Sequence, residues 1–244
     1  MKINAPRSRH QLSIRRNDHV LEVGGGNNPH PRSQVIVDKF TDDNTHRAGD
    51  LKVLKNQRFI QADGEALPFR DKEFDYVICC HVLEHVEHPE KFVQEQVRVA
   101  KAGYLETPSL LGCYLSPKKS HKWVLLDIDD KIVMYDKERI GFRPPLDLNY
   151  LFLRYLPSHA MGFKILQRTH PEIMTMNYEW RDSIELLVNP EDPYYLKYFQ
   201  EPWGKEFCDK FITHRSMGAE FRATLAALSE IMKSVFRSKI LRKT

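Results

Sequence analysis

The stretch Val20-Leu21-Glu22-Val23-Gly24-Gly25-Gly26-Asn27-Asn28-Pro29-His30-Pro31 decides the fold that this sequence predicts. Its first four residues are a short, mostly apolar run with two valines, which is typical of a strand buried on both faces. The three glycines that follow allow positive φ angles and a close approach of the backbone to a ligand. We therefore expect a buried strand whose carboxyl end opens into a ligand-binding loop.

Four further apolar runs indicate more strands of the same kind. They are Val35–Val37, Phe59–Ala62, Phe74–Cys80 and Tyr104–Leu105. Between the last two, Pro89 fits the first position of a helix and Gly103 fits a stop after it. A strand, a helix and a strand at this spacing form a right-handed βαβ unit. The pattern predicts an α/β protein with a doubly wound, mostly parallel sheet.

The second half of the chain is less regular. Two runs around Asp129-Asp130 favour a β-hairpin, and two later runs are candidates for antiparallel strands at the edge of the sheet. In chain order, the predicted elements are strands at Trp123–Ile128 and Lys131–Tyr135, a helix at Leu146–Leu156, strands at Glu172–Trp180 and Ser183–Val188, and an amphipathic helix beyond Gly218.

Composition limits the class of protein. The 244 residues carry a formal net charge of +4, but the segment from His214 onward has seven basic residues and two acidic ones. The rest of the chain is therefore nearly neutral, which argues against a nucleic-acid partner. The four cysteines lack metal-ligand spacing, and no signal peptide or run of about 20 apolar residues is present. We expect a soluble, cytoplasmic protein without a transmembrane segment.

The acids at the predicted strand ends indicate the ligand. Glu22, Asp38 and Asp63 follow or end three different strands, and the carboxyl ends of strands in an open α/β sheet meet at the ligand crevice. A dinucleotide would require G-x-G-x-x-G for its pyrophosphate, but Pro29 occupies the third glycine position. S-adenosylmethionine has no phosphate, and its ammonium, sulfonium and ribose hydroxyls favour acidic partners. The acids therefore favour S-adenosylmethionine over a nicotinamide dinucleotide.

The first strand connection is unusually short. Only seven residues, Asn27 to Ser33, separate Gly26 from the approach to the second strand, and two of the seven are prolines. A parallel crossover normally takes a dozen residues or more. Either a loop replaces the first helix, or the first two strands do not pair. Asn28 stands where related loops often have glycine, and asparagine tolerates positive φ angles.

Four segments together resemble a known family. They are VLEVGGGNNPHP (20–31), VDKF (37–40), DGEALPFRDKEFDYVICCHVLEHVEHP (63–89) and GYLETPS (103–109). They are similar to class I S-adenosylmethionine-dependent methyltransferases, most of all to the type 11 subset, over roughly residues 18–110. The resemblance implies a Rossmann-like fold, S-adenosylmethionine as cofactor and methyl transfer as the reaction.

The resemblance also implies which residues contact the cofactor. The glycine-rich loop would lie under the methionine and ribose, Asp38 would hold the ribose hydroxyls, and Asp63 would lie beside the adenine. The segment after the fourth strand would pass near the sulfur. The implied cofactor-binding residues are Glu22, Gly24, Gly25, Gly26, Asn28, Asp38, Asp63, Gly64, Glu65, Cys80 and His81.

The same resemblance divides the chain into two parts of one domain. Residues 1–110 would form the cofactor-binding core. Residues 111–244 would complete the sheet, bind the methyl acceptor as a lid and end in the basic helix. The acceptor is unidentified, and the aromatic residues of this half fit a small molecule or a glycan as well as ordinary core packing.

The segment His81-x-x-Glu84-His85 has the residue types and spacing of a zinc-peptidase motif. That motif requires both histidines on one helix. Here His81 follows a strand, Pro89 disfavours helix just before it, and no third ligand is assignable from the sequence. We therefore expect no metal.

Two histidines are candidates for a general base, which an oxygen or nitrogen acceptor would need if it loses a proton. They are His81, beside the predicted sulfur position, and His121, which we expect to face the acceptor. An ordinary surface histidine is an equally good interpretation of His121. Two other functions remain open: a pseudoenzyme that binds S-adenosylmethionine as a scaffold, and a nicotinamide-dependent oxidoreductase.

The C-terminal helix has a repeat of Phe221, Leu225, Leu228, Met232 and Val235 with basic residues between. We expect this apolar face to pack on the body of the protein. A peripheral membrane contact is the alternative, and it would require a strong, exposed apolar face.

Overall fold

The computed structural model describes residues 1–41, 44 and 49–241, with side chains of the last helix described as far as residue 236. A seven-stranded sheet forms its centre in the order β1-β9-β6-β5-β2-β3-β4. The strands are β1 (Lys2–Asn4), β2 (Val20–Val23), β3 (Val35–Asp38), β4 (Arg58–Gln61), β5 (Phe74–Cys80), β6 (Ala100–Pro108) and β9 (Thr175–Arg181). The doubly wound α/β prediction is confirmed.

The strand order creates a crevice at one point of the sheet. Strands β4, β3, β2, β5 and β6 pair in parallel, and β2 lies between β3 and β5. The chain therefore leaves β2 toward one edge and returns through β5 toward the other edge. Such a reversal opens a crevice at the carboxyl ends of the two strands. The antiparallel edge is also confirmed, because β9 pairs antiparallel with β6 and β1 with β9.

A loop of residues 24–34 joins β2 to its parallel neighbour β3 without a helix. Of the two alternatives for the short connection, the first is therefore correct: a loop replaces the first helix, and the first two strands do pair. The amide of Gly24 donates to the carbonyl of Val37 at 2.7 Å, which holds the start of the loop against β3.

A second, three-stranded sheet packs on one face of the first. It contains β7 (Trp123–Ile128), β8 (Lys131–Asp136) and β10 (Leu186–Val188) in the order β10-β8-β7. The predicted hairpin is confirmed, and Asp129 and Asp130 both have positive φ angles, as a type I′ turn requires. The predicted strand Ser183–Val188 is shorter and lies elsewhere than expected, because β10 pairs with β8 and not with the main sheet.

The remaining regular elements are helices. They are α1 (Pro89–Val99), α2 (Leu110–Leu115), a π-helix (Leu151–Tyr155) that continues into α3 (Leu156–His159), α4 (Met161–Thr169), a 3-10 turn (Pro171–Ile173), α5 (Pro193–Gln200), α6 (Lys205–Phe211) and α7 (Met217–Leu241). The helix predicted from Leu146 therefore begins later. No helix in the described part of the chain is long and apolar enough to cross a membrane.

Three buried clusters stabilise these layers. The largest lies between the main sheet, α1 and the second sheet, and includes Phe92 and Trp180. A second cluster joins the outer face of the second sheet to α2, α5 and α6. The third lies on the other face of the main sheet, where Leu12 and Ile14 of the N-terminal segment cover buried side chains.

Helix α7 packs with the opposite face from the one predicted. Ala223, Ala227 and Ile231 are buried, whereas Phe221 and Met232 are 66% and 72% exposed. The small alanine side chains allow α7 to lie close to α4, with which it is in contact. The expectation that the larger apolar residues pack on the body is therefore wrong.

Gly103 was expected to stop α1, and this prediction is wrong as well. The helix ends at Val99 and the chain enters β6 at once, so that Gly103 lies within the strand. A Cβ atom at this position would lie 2.6 Å from the carbonyl oxygen of Val77 and 2.8 Å from the ring of Trp180. Gly103 is therefore required for close packing of β6.

We expect Gly103→Ala to lower the free energy of unfolding by roughly 1–3 kcal/mol, the usual cost of overpacking a core. Urea unfolding followed by circular dichroism measures this change. Gly162→Ala in α4 is the matched control, because a Cβ atom there meets nothing within 4 Å. Equal stability of the two variants would contradict the packing role of Gly103.

Candidate functional site

A cavity of about 360 Å³ lies at the carboxyl ends of β2, β3 and β5, where the strand order reverses. Its wall is formed by several segments of the predicted core, residues 1–110, and by two residues from the predicted acceptor-binding part, residues 111–244. The lining residues are Val23, Gly24, Gly26, Val37, Asp38, Lys39, Phe40, Ala62, Asp63, Gly64, Glu65, His81, Val82, His85, Val86, Glu87, Phe92, Ser120 and Lys122.

The glycines of the cavity wall have steric reasons to be glycine. Gly24 and Gly26 have φ angles of +75° and +54°. A Cβ atom on Gly24 would lie 2.2 Å from Val82, and one on Gly64 would lie 2.5 Å from the ring of Phe92. The predicted glycine loop is therefore in place. Gly25 is not part of the lining, because it faces Ile36 and Glu22 instead.

Glu22 is buried beneath the loop and does not line the cavity. Its Oε1 accepts a hydrogen bond from Arg9 at 2.9 Å, and its Oε2 accepts from the amide of His30 at 2.6 Å and the hydroxyl of Ser33 at 2.8 Å. Both oxygens are thus occupied within the protein. The structure supports the interpretation of Glu22 as an anchor for its own loop, not as a cofactor ligand.

Two other predicted contact residues, Asn28 and Cys80, also lie outside the lining. Cys80 is half-buried, and desolvation of its thiol raises the pKa of Cys80 well above its ordinary value. A protonated thiol is a poor nucleophile and a poor ligand. The sequence placed Cys80 at the crevice because it ends β5, but the next residue, His81, is the one that reaches the cavity.

The two acids expected at the cofactor, Asp38 and Asp63, both line the cavity. Oδ1 of Asp38 accepts a hydrogen bond from the amide of Phe40 at 3.1 Å. Asp63 forms an ion pair with Lys39 at 2.7 Å. Burial would raise the pKa of Asp63, but the Lys39 ammonium and the amide of Glu65 hold that pKa below its ordinary value. Asp63 is therefore ionised at neutral pH.

Glu65 contributes its side chain mainly to the loop before α1. Its Oε1 accepts hydrogen bonds from the amides of Glu87 and His88 at 2.9 and 3.0 Å. These bonds fasten the segment after β4 to the start of α1 and so fix the width of the cavity between them. The predicted position of Glu65 at the site is observed, and its carboxylate anchors the wall.

His81 stands at the end of β5 with a φ angle of +57°. Its Nε2 lies 3.1 Å from Glu106 and its Nδ1 lies 3.5 Å from Glu84. Burial would lower the pKa of His81, but the two carboxylates outweigh it and raise the pKa to about 10. His81 is therefore protonated at neutral pH and cannot serve as a general base in this state.

His121 is buried and does not line the cavity, so the expectation that it faces the acceptor is not supported. Its ring packs edge-on against His85, with 4.7 Å between the ring centroids. Burial lowers the pKa of His121 to about 3, which makes it a weak proton acceptor. Neither histidine predicted as a base has the position and the protonation state that the role requires.

Several lining residues were not predicted from the sequence. Lys39 directly follows Asp38, so its position at the end of a predicted strand could have indicated it as a lining residue. His85 was considered only as part of a zinc motif. Ser120 and Lys122 reach the cavity because the amide of Lys122 donates to the carbonyl of Glu84 at 2.9 Å. Such a long-range contact leaves no local pattern in the sequence.

Residues 35–105 match a family model described as a methyltransferase domain. This segment is part of a methyltransferase domain of the type 11 kind. The match runs from β3 through β6 and includes the strand ends that carry Asp38, Asp63 and His81. The family uses S-adenosylmethionine as its methyl donor. The resemblance inferred from the sequence is confirmed over this segment.

Curated relatives match part of the chain. The chain is 34% identical over 132 residues to the uncharacterized protein MJ1123 of Methanocaldococcus jannaschii, which covers 50% of this chain and 63% of that protein. It is 31% identical over 103 residues to the ubiquinone/menaquinone biosynthesis C-methyltransferase UbiE of Pseudomonas putida, covering 37% and 40% of the two chains. The chain therefore spans about two fifths to three fifths of these relatives.

Solved structures show similarity at low identity. The PH0226 protein of Pyrococcus horikoshii has a TM-score of 0.37 and 16% identity, over 67% of this chain and 81% of that one. The YcgJ protein of Bacillus has a TM-score of 0.35 and 18% identity, over 68% and 89%.

The role of Glu22 in the loop can be tested by removing its carboxylate. We expect Glu22→Ala to lower the free energy of unfolding by roughly 3–5 kcal/mol, because Arg9, whose side chain is only 16% exposed, loses the partner of its charge. Urea unfolding measures the change. Glu191→Ala is the control, because its side chain is 92% exposed and its nearest cation is 4.0 Å away. Similar stability of the two variants would contradict the anchoring role.

Proposed function

We propose that the chain is an active methyltransferase that binds S-adenosylmethionine in the 360 Å³ cavity and transfers its methyl group to an acceptor. The observation that carries the proposal is the joint position of Asp38, Asp63 and the glycine loop around one cavity at the strand reversal. The family match of residues 35–105 supports the same ligand. Methyl transfer by the whole protein is inferred from these two observations together.

We assign the cofactor groups by the chemistry of the cavity wall. Asp38 would accept hydrogen bonds from the ribose hydroxyls, and the backbone around Gly24 and Gly26 would lie under the methionine and ribose. Asp63, held by Lys39, would lie beside the adenine. Protonated His81 would line the end of the cavity where the resemblance places the sulfur.

The reaction would be an in-line displacement. The acceptor atom forms a bond to the methyl carbon while the bond from that carbon to sulfur breaks, and S-adenosylhomocysteine leaves with the electron pair. The carbon is already activated by the sulfonium, so that holding the acceptor close and in line provides much of the acceleration. The charged state of His81 and the burial of His121 are consistent with catalysis by positioning.

Residues 111–244 would supply the acceptor site. Ser120 and Lys122 of this part already line the cavity, which supports the division into a cofactor-binding core, residues 1–110, and an acceptor-binding remainder. The name of the UbiE relatives describes a C-methyltransferase of ubiquinone/menaquinone biosynthesis. A small molecule or a glycan remains the proposed class of acceptor.

Removing the carboxylate of Asp38 should weaken cofactor binding. We expect Asp38→Ala to bind S-adenosylmethionine and S-adenosylhomocysteine at least about 10-fold more weakly, because hydrogen bonds to a charged group contribute about 1.5–3 kcal/mol each. Isothermal titration with S-adenosylmethionine, S-adenosylhomocysteine and NAD measures the affinities. The exposed Asp209→Ala is the matched control.

Two results would contradict the proposal. Tighter binding of NAD than of S-adenosylmethionine would favour an oxidoreductase, and equal affinities of Asp38→Ala and wild type would exclude the assigned site. Turnover is tested by mass spectrometry of a cell extract incubated with the protein and donor that carries a labelled methyl group. Methyl transfer is supported if wild type forms a labelled product and Asp38→Ala forms less of it. If wild type binds S-adenosylmethionine but forms no labelled product, the protein is a pseudoenzyme.

We also propose that α7 contacts a membrane surface. The exposed face of the helix combines Phe221, Leu225, Met232, Val235 and Phe236, which 3.6 residues per turn place on one side. The exposed basic residues Arg222 and Lys233 both lie along one edge of that stripe. An apolar face bordered by basic residues is the pattern of a helix that lies in the interface of an anionic bilayer.

We expect the protein to co-float with vesicles that contain phosphatidylserine and to bind vesicles of phosphatidylcholine alone several-fold less. Phe221→Ser with Met232→Ser should abolish flotation, because both side chains are largely exposed and their loss leaves the fold intact. Leu146→Ser, an exposed apolar residue outside α7, is the control. The result that would contradict the proposal has two parts. Wild type would not bind vesicles, and it would form a dimer that the double variant does not form. A second copy of the chain would then cover this face.

A further inference from the structure

Glu84 has an unusual environment for a carboxylate. Its side chain is completely buried, and neither of its oxygens accepts a hydrogen bond from any described residue. A buried carboxylate in this condition strongly destabilises the fold unless another charge compensates it. The surroundings of Glu84 should therefore contain a compensating cation or a place for one.

Three imidazole rings converge on Oε1 of Glu84. Nδ1 of His81 lies 3.5 Å away, and Nε2 of His85 and Nε2 of His121 each lie 3.9 Å away. These distances exceed a good hydrogen bond but are close to the spacing of ligands around a metal. Two atoms at about 2.1 Å from a tetrahedral zinc ion lie roughly 3.4 Å apart. Because the three ligand atoms lie within 4.8 Å of one another, movements of up to about an ångström would bring them to coordination distance.

The orientation of His85 is already fixed for metal binding. Its Nδ1 lies 2.8 Å from the carbonyl oxygen of Ser120, which can only accept a hydrogen bond. Nδ1 therefore carries the proton, and in the neutral ring the lone pair is on Nε2, the atom that points toward Glu84. A backbone carbonyl on the far nitrogen is the usual support of a metal-binding histidine.

His121 is held beside Glu84 by the backbone and not by its own side chain. The amides of Lys122 and Trp123 donate to the carbonyl of Glu84 at 2.9 and 3.3 Å, which places the preceding residue against the cluster. The ring is buried, and its Nδ1 has no hydrogen-bond partner among the described residues. A second buried polar group without a partner thus lies at the same place as the Glu84 carboxylate.

We propose that Glu84, His85 and His121 bind a divalent transition-metal ion of the zinc type. Their ligand atoms lie within 4.8 Å of one another, and two imidazoles with one carboxylate are a common ligand set for zinc. Because His85 also lines the cavity, the ion would lie against its wall. The proposal is independent of the cofactor bound there.

The expectation of no metal rested on two arguments that the structure removes. One was that the motif His81-x-x-Glu84-His85 requires a helix. Here the segment is a turn after β5, and the ligand atoms of Glu84 and His85 nevertheless lie close to each other and to that of His121. The other was the missing third ligand, which His121 supplies from 36 residues further along the chain. The competing explanation is that protonated His81 alone compensates the charge of Glu84, in which case no metal binds.

The test uses the full chain after treatment with a chelator. We expect it to take up one Zn²⁺ per chain, measured by elemental analysis and by competition with a chromophoric chelator, and to bind Mg²⁺ much more weakly. Glu84→Gln and His121→Asn should each weaken zinc affinity by at least about 100-fold, because each removes a direct ligand. His214→Gln, an exposed histidine outside the cluster, should bind zinc like wild type.

Cobalt provides a readout that needs no variant. We expect Co²⁺ bound to the wild-type chain to show visible absorption bands of a four- or five-coordinate site, and Zn²⁺ to displace them. Uptake of less than one zinc ion per wild-type chain would overturn the proposal even if the variants fail to fold. Equal zinc affinity of wild type and a folded Glu84→Gln or His121→Asn variant would overturn it as well.

Discussion

The buried carboxylate of Glu22 is the interaction on which the rest of the site depends. Strands β2 and β3 are parallel neighbours, yet the loop of residues 24–34 joins them without a helix to cover the sheet. Glu22 compensates by binding the amide of His30, the hydroxyl of Ser33 and the guanidinium of Arg9. The loop is thereby folded back onto β2, which leaves the backbone at Gly24 and Gly26 along the cavity.

A second buried carboxylate anchors the same N-terminal segment from the other side. Glu179 of β9 accepts hydrogen bonds from the amide of Ser13 at 2.7 Å and from the hydroxyl of Tyr76 at 2.6 Å. Together with the ion pair from Arg9 to Glu22, it fastens residues 9–13 across the sheet. Leu12 and Ile14 of this segment then cover buried side chains on one face of the sheet. Charged and polar contacts thus hold in place a segment that covers the sheet without being a helix.

The parts of the fold that could be predicted are those with a local signal. Phe74–Cys80 was predicted with its bounds because a buried parallel strand is a continuous apolar run. The inward face of α7 could not be predicted, because the helix has two apolar stripes and only packing distance favours the one with Ala223 and Ala227. His121 was seen as an isolated histidine, because the backbone contact of Lys122 with Glu84 joins segments far apart in sequence.

Charge and burial explain why neither histidine fills the role that the sequence predicts for it. His81 looked like a base because it ends a strand at the crevice, but Glu106 and Glu84 keep it charged. His121 looked like a surface residue that could face a substrate, but it is buried behind His85, and that burial keeps it neutral. A proton acceptor needs both access and a pKa near neutrality, and each histidine lacks one or both. Under the proposed function, the acceptor would have to be nucleophilic without help from either ring, and a neutral His121 is better suited to be a metal ligand than a base.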